Sequence, residues 1–249
     1  MSCRQDLRIL DIGSGLGGNT IGLLKFIHFY FDNIKHVVID AVDGNDTALA
    51  MQRIILNKLD FNFTWQLNPV HNVFTESDFR SELREAVSHD QKYDFIMTSK
   101  FINEMYSDNK DSKSPYADFL DFAETALGEE GFIIVSELTN KVGTRGHINK
   151  VLNREVDAYL KNGRTRLSQV YPLPCYFWRN ICQNAKKCFL QQKYLNGSAK
   201  ISTMIFGFKG IAEAFYNRTF AELQKQAKIR VKDTYRNTEQ YCYQGRLTD

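Results

Sequence analysis

The stretch LRILDIGSGLGGNT, residues 7–20, determines the fold that we predict for this chain. An apolar run ends in an acid, Asp11, and four glycines follow within the six positions from Gly13 to Gly18. A strand that runs straight into a glycine-rich turn and then a helix presents backbone N–H groups and the positive end of a helix dipole to one place. The pattern therefore predicts a strand-turn-helix unit with a polar or anionic ligand at the turn.

The composition indicates an ordinary globular protein with one main domain. Of the 249 residues, 43% are hydrophobic and 24% are charged, and only 4 are proline. No run approaches the roughly 20 apolar residues of a membrane span, and the opening MSCRQDLR lacks the apolar core of a signal peptide. Five scattered cysteines suit free thiols in a reducing compartment. We therefore expect a cytoplasmic protein that does not contact a membrane.

Short apolar runs alternate with helix-like stretches over the first 140 residues, which is the rhythm of βαβ units. Nearly continuous apolar runs such as YDFIMTS and GFIIVSEL are typical of strands buried on both faces of a parallel sheet. We therefore predict a doubly wound, mostly parallel α/β sheet. The predicted strands are residues 7–12, 36–43, part of 62–74, 93–99 and 131–138, and the predicted helices are residues 19–31, 45–59, 77–87 and 114–127.

The helix signals are clearest around the second and fourth helices. Asn45 or Asp46 is a natural N-cap for the second helix. Leu49, Ile54 and Leu56 are expected to face inward from it. The fourth helix is expected to enter through Pro115, since proline suits the first turn of a helix, and to stop at Gly128.

After Glu137 the pattern changes. Residues 148–160 predict a helix that ends near Gly163, and residues 168–178 and 201–210 predict strands of antiparallel character that bring the sheet to seven strands. A charged helix is expected from Ala212 onward. We therefore divide the chain into a core over residues 1–140, a C-terminal part of the same sheet with a basic, cysteine-containing insertion over 141–211, and a basic helical tail over 212–249.

The spacing of the glycines bears on the class of ligand. Gly13, Gly15 and Gly17 follow G-x-G-x-G, which differs from the G-x-G-x-x-G of dinucleotide binding. A dinucleotide turn must cradle a pyrophosphate, whereas a looser turn can lie against an amino-acid moiety and a ribose. Asp11 would repel a pyrophosphate. A nicotinamide-dependent oxidoreductase is therefore disfavoured.

LDIGSGLGG resembles the first motif of class I S-adenosylmethionine-dependent methyltransferases, in which an acid stands two residues before the first glycine. The resemblance covers about residues 7–138 and implies a Rossmann-like fold with S-adenosylmethionine as the cofactor. It also implies that Asp11 helps to hold the ammonium end of the cofactor. The backbone of the turn would approach the cofactor, with Gly13, Ser14, Gly15, Gly17 and Asn19 as its binding residues.

The same resemblance assigns residues that follow the next strands. Asp40 and Asp43 are candidates for a carboxylate that grips both ribose hydroxyls, and Asp43 is preferred because it directly precedes the helix cap. The adenine contacts are expected from NPVHNVF, through Val70, His71 and Asn72. TSKFINEMY is expected to supply Ser99, Lys100 and Phe101 at the reactive end of the cofactor, and the candidate catalytic residues are Ser99, Asn103 and Glu104.

Two further stretches bear on the reaction. No Asp/Asn-Pro-Pro-aromatic run follows the fourth strand, so amino-group methylation of adenine or cytosine by that route is not supported. Pro174-Cys175 does not lie beside the fourth predicted strand, so its cysteine is interpreted as structural or metal-related and not as a nucleophile. The stretch from residue 135 to residue 160 is similar to small-ribosomal-subunit methyltransferase-like assembly proteins, through Glu137, Gly143, Thr144, Gly146 and Arg154.

Proteins of that assembly family carry cysteines that bind an iron–sulfur cluster. Here Cys175, Cys182 and Cys188 fall in the corresponding region, but their C-x6-C-x5-C spacing does not copy the family's arrangement. With Cys3 or Cys242 as a fourth ligand they could hold zinc or a cluster. The long gaps favour ordinary reduced thiols, and we predict no metal.

The charge is divided between the two parts of the chain. The first 140 residues hold 12 Lys and Arg against 22 Asp and Glu, whereas the remainder holds 20 against 7. YFWRN, NAKKCF and KQAKIRVKDTYR interleave cations with aromatic residues, as a surface for RNA or another polyanion would. Its expected members are Arg179, Lys186, Lys187, Lys228, Arg230 and Lys232. The same composition would suit a surface that docks an acidic protein partner, or a solvated surface without a ligand.

Together these patterns predict a methyltransferase that uses S-adenosylmethionine, with RNA, including rRNA, as the leading acceptor. A protein or a small molecule is the alternative acceptor. No unmistakable catalytic base is visible in the sequence. A non-catalytic assembly or regulatory factor that binds S-adenosylmethionine is therefore the competing hypothesis.

Overall fold

The structure is a computed structural model that describes residues 4–75, 79–87, 91–106, 114–138, 141–142, 146–171, 190–194, 197–215 and 217–218. Within these ranges, the side chains of residues 141–147, 149–150 and 190–200 are not described. The chain forms two units, Met1–Val135 and Ser136–Asp249. Each unit is treated by itself below.

The first unit is organised by a parallel sheet with the strand order β3-β2-β1-β4-β5. Strand β1 pairs in parallel with β2 and with β4, and β2 pairs in parallel with β3. The sheet confirms the predicted doubly wound α/β class. Its strands are β1 (Asp6–Ile12), β2 (His36–Asp43), β3 (Thr64–His71), β4 (Tyr93–Ser99) and β5 (Leu127–Leu138), the last of which runs on into the second unit.

Helices follow these strands and cover their apolar side chains. One hydrophobic cluster contains Leu7 and Ile9 of β1, with Val37 and Ile39 of β2, two residues apart on each strand. Helices α1 and α2 contribute further buried leucines and isoleucines to the same cluster. The described helices of this unit are α1 (Gly18–Tyr30), α2 (Asp46–Leu56), α3 (Phe79–Glu85), α4 (Pro115–Ala126) and a 3-10 helix (Ile102–Met105).

Helix α2 begins as predicted but buries a different set of residues. Asn45 is the N-cap, and its side chain accepts a hydrogen bond of 3.1 Å from the Ala48 N–H. The expectation that Ile54 faces inward is wrong, because 52% of Ile54 is exposed. Five residues after Leu49, the helix has turned Ile54 about 140° away from the core. Gln52, fully buried, takes the inward position between Leu49 and Leu56.

The prediction that Gly128 stops the fourth helix is also wrong. Helix α4 ends at Ala126, and the backbone of Leu127 is already extended, with φ −73° and ψ 138°. Strand β5 therefore begins four residues earlier than the predicted start at Gly131. Both glycines lie inside β5, and a Cβ on Gly131 would come within 2.8 Å of the Tyr93 carbonyl oxygen. They allow close backbone approach instead of making a turn.

In the second unit, β10 (Gly197–Phe208) pairs in antiparallel fashion with β8 (Leu167–Tyr171) and with β9 (Leu190–Tyr194), and the strand order runs β5-β10-β8. With the five strands above, β8 and β10 complete the predicted mostly parallel, seven-stranded sheet. β9 was not predicted. The predicted strand over 168–178 is described only as β8, since residues 172–189 lie outside the described ranges. The elements are β6 (Lys141–Val142), β7 (Gly146–His147), α5 (Ile148–Lys161), β8 (Leu167–Tyr171), β9 (Leu190–Tyr194) and β10 (Gly197–Phe208).

The C-terminal tail is described only at its start, where residues 209–215 and 217–218 are helical. Across the described ranges, no helix combines the length and the apolar character that crossing a membrane requires.

Candidate functional site

The glycine turn lies at the carboxyl ends of the central strands of the first unit. β1 stands between β2 and β4, and the strand order reverses there. In open α/β sheets, ligands bind outside the carboxyl ends of the strands at such a switch point. The strand ends bring Asp11, Asp43 and Ser99 to this edge of the sheet. Three segments that the sequence predicted to form one site therefore meet there.

The three glycines of the turn share a left-handed backbone but have different surroundings. Their φ angles are 68° at Gly13, 54° at Gly15 and 81° at Gly17. A Cβ on Gly13 would lie 2.4 Å from Phe101 Cβ, and one on Gly17 would lie 2.4 Å from Gln52 Cγ. A Cβ on Gly15 would meet nothing within 4 Å. Gly13 and Gly17 therefore pack against the chain's own side chains, whereas Gly15 faces space that no described residue fills.

Hydrogen bonds fasten the turn to the end of β2. The N–H groups of Gly13 and Ser14 donate to the Val42 carbonyl oxygen over 2.9 and 3.1 Å. The Gly15 N–H donates to Asp43 Oδ2 over 2.7 Å. Because the neighbouring strand holds three successive N–H groups, the turn has a defined shape without a ligand.

Asp11 is a buried acid with an incomplete set of hydrogen bonds. It is fully buried, and its Oδ2 accepts hydrogen bonds from Thr20 Oγ1 at 2.6 Å and Ser14 Oγ at 3.2 Å. Its Oδ1 has no hydrogen-bond partner among the described residues. Burial raises the pKa of Asp11 to about 6, although hydrogen bonds from the Thr20 and Ser14 hydroxyls, the Thr20 backbone N–H and the Asn19 side chain act to lower it. An ionised Asp11 would therefore be stabilised by a cationic group or a hydrogen-bond donor from a ligand.

Asp43 stands at the end of β2 and is partly exposed. Besides the Gly15 N–H, its carboxylate accepts the Asn45 N–H at Oδ1 over 2.9 Å. A carboxylate oxygen can accept more than one hydrogen bond, so both oxygens keep capacity for hydroxyl donors. Asp43 can therefore hold the turn and still bind a ligand.

Asp40 lies within β2, as predicted, but its carboxylate is engaged inside the sheet. Oδ2 accepts Arg8 Nη2 at 2.8 Å and the Tyr93 hydroxyl at 2.7 Å, and Oδ1 accepts Asn68 Nδ2 at 2.7 Å. Burial, followed by the Asp40 carboxylate, raises the pKa of Tyr93. The two candidate acids thus have separate surroundings, one at the turn and one in a polar network.

The residues expected near the adenine lie next to the end of β2. His71 ends β3, and its Nε2 is 3.0 Å from the Gly44 carbonyl oxygen. The Asn72 N–H donates to the Asp43 carbonyl oxygen over 3.1 Å. Val70, His71 and Asn72 therefore neighbour Asp43 along the carboxyl edge of the sheet.

The segment after β4 brings an aromatic side chain onto the turn. Lys100 has a φ of 59° and is the one non-glycine residue with positive φ in the described ranges. Phe101 follows, packs edge-on against Phe74 with ring centres 5.2 Å apart, and contacts Gly13. Asn103 and Glu104 lie on the 3-10 helix, where Glu104 is exposed. Of this segment, the structure thus places Phe101 against the turn.

Sequence reasoning missed two residues that contact Asp11 or its partner. Thr20, in the first turn of α1, donates to Asp11, and the only signal was its place nine residues after that acid. Gln52 Oε1 accepts from Ser14 Oγ over 3.0 Å. Its signal was a polar residue three positions after Leu49 and four before Leu56, on the apolar face of a helix.

Other predicted residues are described partly or not at all. Glu137 is buried, Arg154 is exposed on α5, and Gly146 lies in β7. Among the described residues, no three His, Cys, Asp or Glu side chains group so as to hold a metal ion. Outside the described residues lie Gly143, Thr144, Cys3, Cys175, Cys182, Cys188, Cys242, Arg179, Lys186, Lys187, Lys228, Arg230 and Lys232.

The comparison with solved structures found proteins that are similar to this chain. No protein-family model matches the sequence, and no curated protein does. A methyltransferase from Pyrococcus furiosus matches with 14% identity and a TM-score of 0.45, over 83% of this chain and 77% of that one. An rRNA methylase from Streptococcus thermophilus matches with 11% identity and a TM-score of 0.39, over 83% and 89% of the two chains.

A third match is the precorrin-6y C5,15-methyltransferase from Geobacter metallireducens, with 16% identity and a TM-score of 0.41, over 81% of each chain. At these identities and TM-scores the similarity carries no argument about cofactor or acceptor.

Proposed function

We propose that this chain is an S-adenosylmethionine-dependent methyltransferase whose cofactor binds at the glycine turn. The observation that carries the proposal is Asp11, a fully buried carboxyl with one oxygen that has no hydrogen-bond partner among the described residues. A phosphate would be repelled there, whereas the ammonium group of S-adenosylmethionine would relieve the cost of burying the charge. The residues present therefore fit a cationic ligand with a ribose, and not a dinucleotide.

The proposal gives each part of the site a role. Asp11 attracts the ammonium group, the open side of Gly15 admits the ligand to the backbone, and Asp43 accepts the ribose hydroxyls. Bound S-adenosylmethionine supplies an electrophilic methyl group on its sulfonium. Val70, His71 and Asn72 would line the adenine, and Ser99, Lys100 and Phe101 would lie at the reactive end.

The acceptor that we propose is RNA. Supporting this are exposed cations of the second unit, Arg164, Arg166 and Lys209. Arg166 and Lys209 are neighbours, since the Lys209 N–H donates to the Arg166 carbonyl oxygen over 2.9 Å. The Arg166 guanidinium lies 4.1 Å from the centre of the buried Phe208 ring, and this cation–π contact holds one of the cations at this end of β8 and β10. The candidate catalytic residues that would act on the acceptor are Ser99, Asn103 and Glu104.

The proposed function is tested first by a binding measurement and then by a transfer assay. Isothermal titration of the chain with S-adenosylmethionine should show binding, and Asp11→Ala should abolish it. Absence of binding to the unmodified chain, or an unchanged affinity in the variant, would overturn the cofactor site.

A transfer assay with methyl-labelled S-adenosylmethionine on cellular RNA and protein fractions then separates the alternatives. Label in the RNA fraction supports the proposal. Label confined to protein replaces RNA as the acceptor, and binding without transfer to any fraction leaves the assembly or regulatory factor as the function.

A further inference from the structure

Gln52 contacts the glycine turn, although it lies on α2 and the turn connects β1 to α1. It is fully buried. Its side chain lies against Gly17, where a Cβ would come within 2.7 Å of Gln52 Nε2. Its Oε1 accepts the Ser14 hydroxyl, and its Nε2 has no hydrogen-bond partner among the described residues. Burying an amide nitrogen that makes no hydrogen bond costs free energy, so an apolar side chain would serve better if packing were the sole role of this position.

The Ser14 hydroxyl has one proton and two acceptors. Its Oγ lies 3.0 Å from Gln52 Oε1 and 3.2 Å from Asp11 Oδ2. When Ser14 donates to Gln52, it does not donate to Asp11. A neutral Asp11 can then donate its own proton to Ser14 Oγ, which gives an unbroken chain from Asp11 through Ser14 to Gln52.

The surroundings of Asp11 contain no competing charge in the described part of the chain. Register places Ala41 of β2 and Met97 of β4 beside Asp11, and α1 contributes Asn19 and Thr20. The groups that move the pKa of Asp11 are hydrogen-bond donors and burial, with no charged side chain among them. The proton of Ser14 is therefore able to shift the balance between the two forms of Asp11.

We propose that Gln52 is a positioning residue that sets the charge state of Asp11 by competing for the Ser14 hydroxyl proton. By drawing that proton away, Gln52 leaves the Asp11 carboxylate short of a hydrogen bond, and the carboxylate then has more to gain from a cationic ligand. Contact with Gly17 fixes the amide in place, so the competition has a defined geometry. The inference rests on the proposed function only for the nature of that ligand.

The first test uses no ligand. Carboxyl-carbon NMR of the full chain with labelled aspartate, assigned with Asp11→Asn, gives the pKa of Asp11 in each variant. Gln52→Met keeps the volume and the contact with Gly17 but removes the acceptor, so the pKa of Asp11 should fall by about 1 unit. In a Ser14→Ala background the same substitution should leave that pKa unchanged. Gln66→Met, on the exposed part of β3, is the matched control.

A role in packing alone would change the melting temperature of Gln52→Met but leave the pKa of Asp11 in place. That result overturns the inference whether or not the chain binds S-adenosylmethionine. A fall in the pKa that persists without the Ser14 hydroxyl would also overturn it, since Gln52 would then act by another route.

The second test follows S-adenosylmethionine affinity against pH by isothermal titration. Affinity should decline as Asp11 takes up its proton, and Gln52→Met should move the midpoint of that decline to lower pH by the same amount as the NMR shift. If the unmodified chain binds no S-adenosylmethionine, the proposed function fails while the NMR result still decides the role of Gln52. If binding occurs and the midpoint does not move, the inference fails and the function stands.

Discussion

Asp11 is the residue at which stability and binding are opposed. Burial raises its pKa from 3.8 to about 6, so the folded chain holds the proton more tightly than the unfolded chain does. The free energy of unfolding therefore decreases as pH rises from about 4 to 6, and the full cost of ionisation, about 3 kcal/mol, is present above pH 6. A bound cation would remove most of this cost.

We expect Asp11→Asn to stabilise the ligand-free chain. The gain in the free energy of unfolding should be up to about 3 kcal/mol at pH 8, and should shrink as pH falls through 6. Urea unfolding at a series of pH values measures it. The same variant should lose affinity for S-adenosylmethionine. A variant that is less stable than the unmodified chain at pH 8 would contradict the assigned cost of the buried charge.

The two acids of β2 should separate into a structural and a binding residue. Asp40→Asn weakens a partly buried pair with Arg8 and should lower the free energy of unfolding by about 2 kcal/mol. Its affinity for S-adenosylmethionine should be unchanged. Asp43→Asn should instead weaken that affinity by tenfold or more, or about 1.4 kcal/mol.

Asp121, which pairs with Arg80 on the surface, provides the control for the Asp40 substitution. Asp121→Asn should cost less than about 1 kcal/mol. An Asp40 variant that weakens ligand binding more than the Asp43 variant does would reverse the two roles.

At the scale of the element, the turn between β1 and α1 should respond unevenly to added methyl groups. Gly15→Ala should cost about 1 kcal/mol, the penalty of a left-handed backbone alone. Gly13→Ala and Gly17→Ala should each cost more than about 3 kcal/mol, because the methyl group also meets Phe101 or Gln52. Chemical unfolding of the three variants makes the comparison.

Gly15→Ala, the variant expected to lose the least stability, is nevertheless expected to lose affinity for S-adenosylmethionine. Gly15→Ala places a methyl group in the open space of the turn, so it should weaken S-adenosylmethionine binding out of proportion to its stability. Equal losses of stability at all three glycines would show that the contacts with Phe101 and Gln52 are unimportant.

At the scale of the whole molecule, the division of charge predicts strongly salt-dependent RNA binding. For a single-stranded RNA, the logarithm of the binding constant should fall linearly with the logarithm of the salt concentration. Arg164→Gln combined with Lys209→Gln should reduce that slope by about 1.4, which is about 0.7 for each cation removed. Fluorescence anisotropy measures the slope. Lys25→Gln with Lys58→Gln, the same change of charge on the acidic first unit, should leave it unaltered.

The sequence predicted the sheet well because its signals are local. Strand β1 and the turn follow from one apolar run, one acid and the glycines, and the N-cap at Asn45 follows from a side chain that bonds within its own turn. Parallel strands buried on both faces are read directly from runs such as YDFIMTS. These features depend on neighbours in sequence.

Features that depend on distant neighbours were missed. Gln52 contacts Ser14 from 38 residues away, and nothing in its own helix reports that contact. The glycines were expected to make room for a ligand, but Gly13 and Gly17 make room for Phe101 and Gln52, which only the folded chain brings near. No turn residue marks the change from helix to strand at Leu127, because Gly128, which follows it, lies inside the strand.

The contacts of Gly13 and Gly17 have a consequence for how such chains change in evolution. Both glycines pack against the chain's own side chains, whatever the site binds, whereas under the proposed function Asp11 and the open side of Gly15 serve the ligand. A descendant that lost the proposed cofactor would keep the first two, could replace Gly15 at a cost of about 1 kcal/mol, and would be stabilised by replacing Asp11. Among relatives of this chain, Asp11 should therefore be retained in those that bind the cofactor, whereas Gly13 and Gly17 should be retained whether or not the cofactor binds.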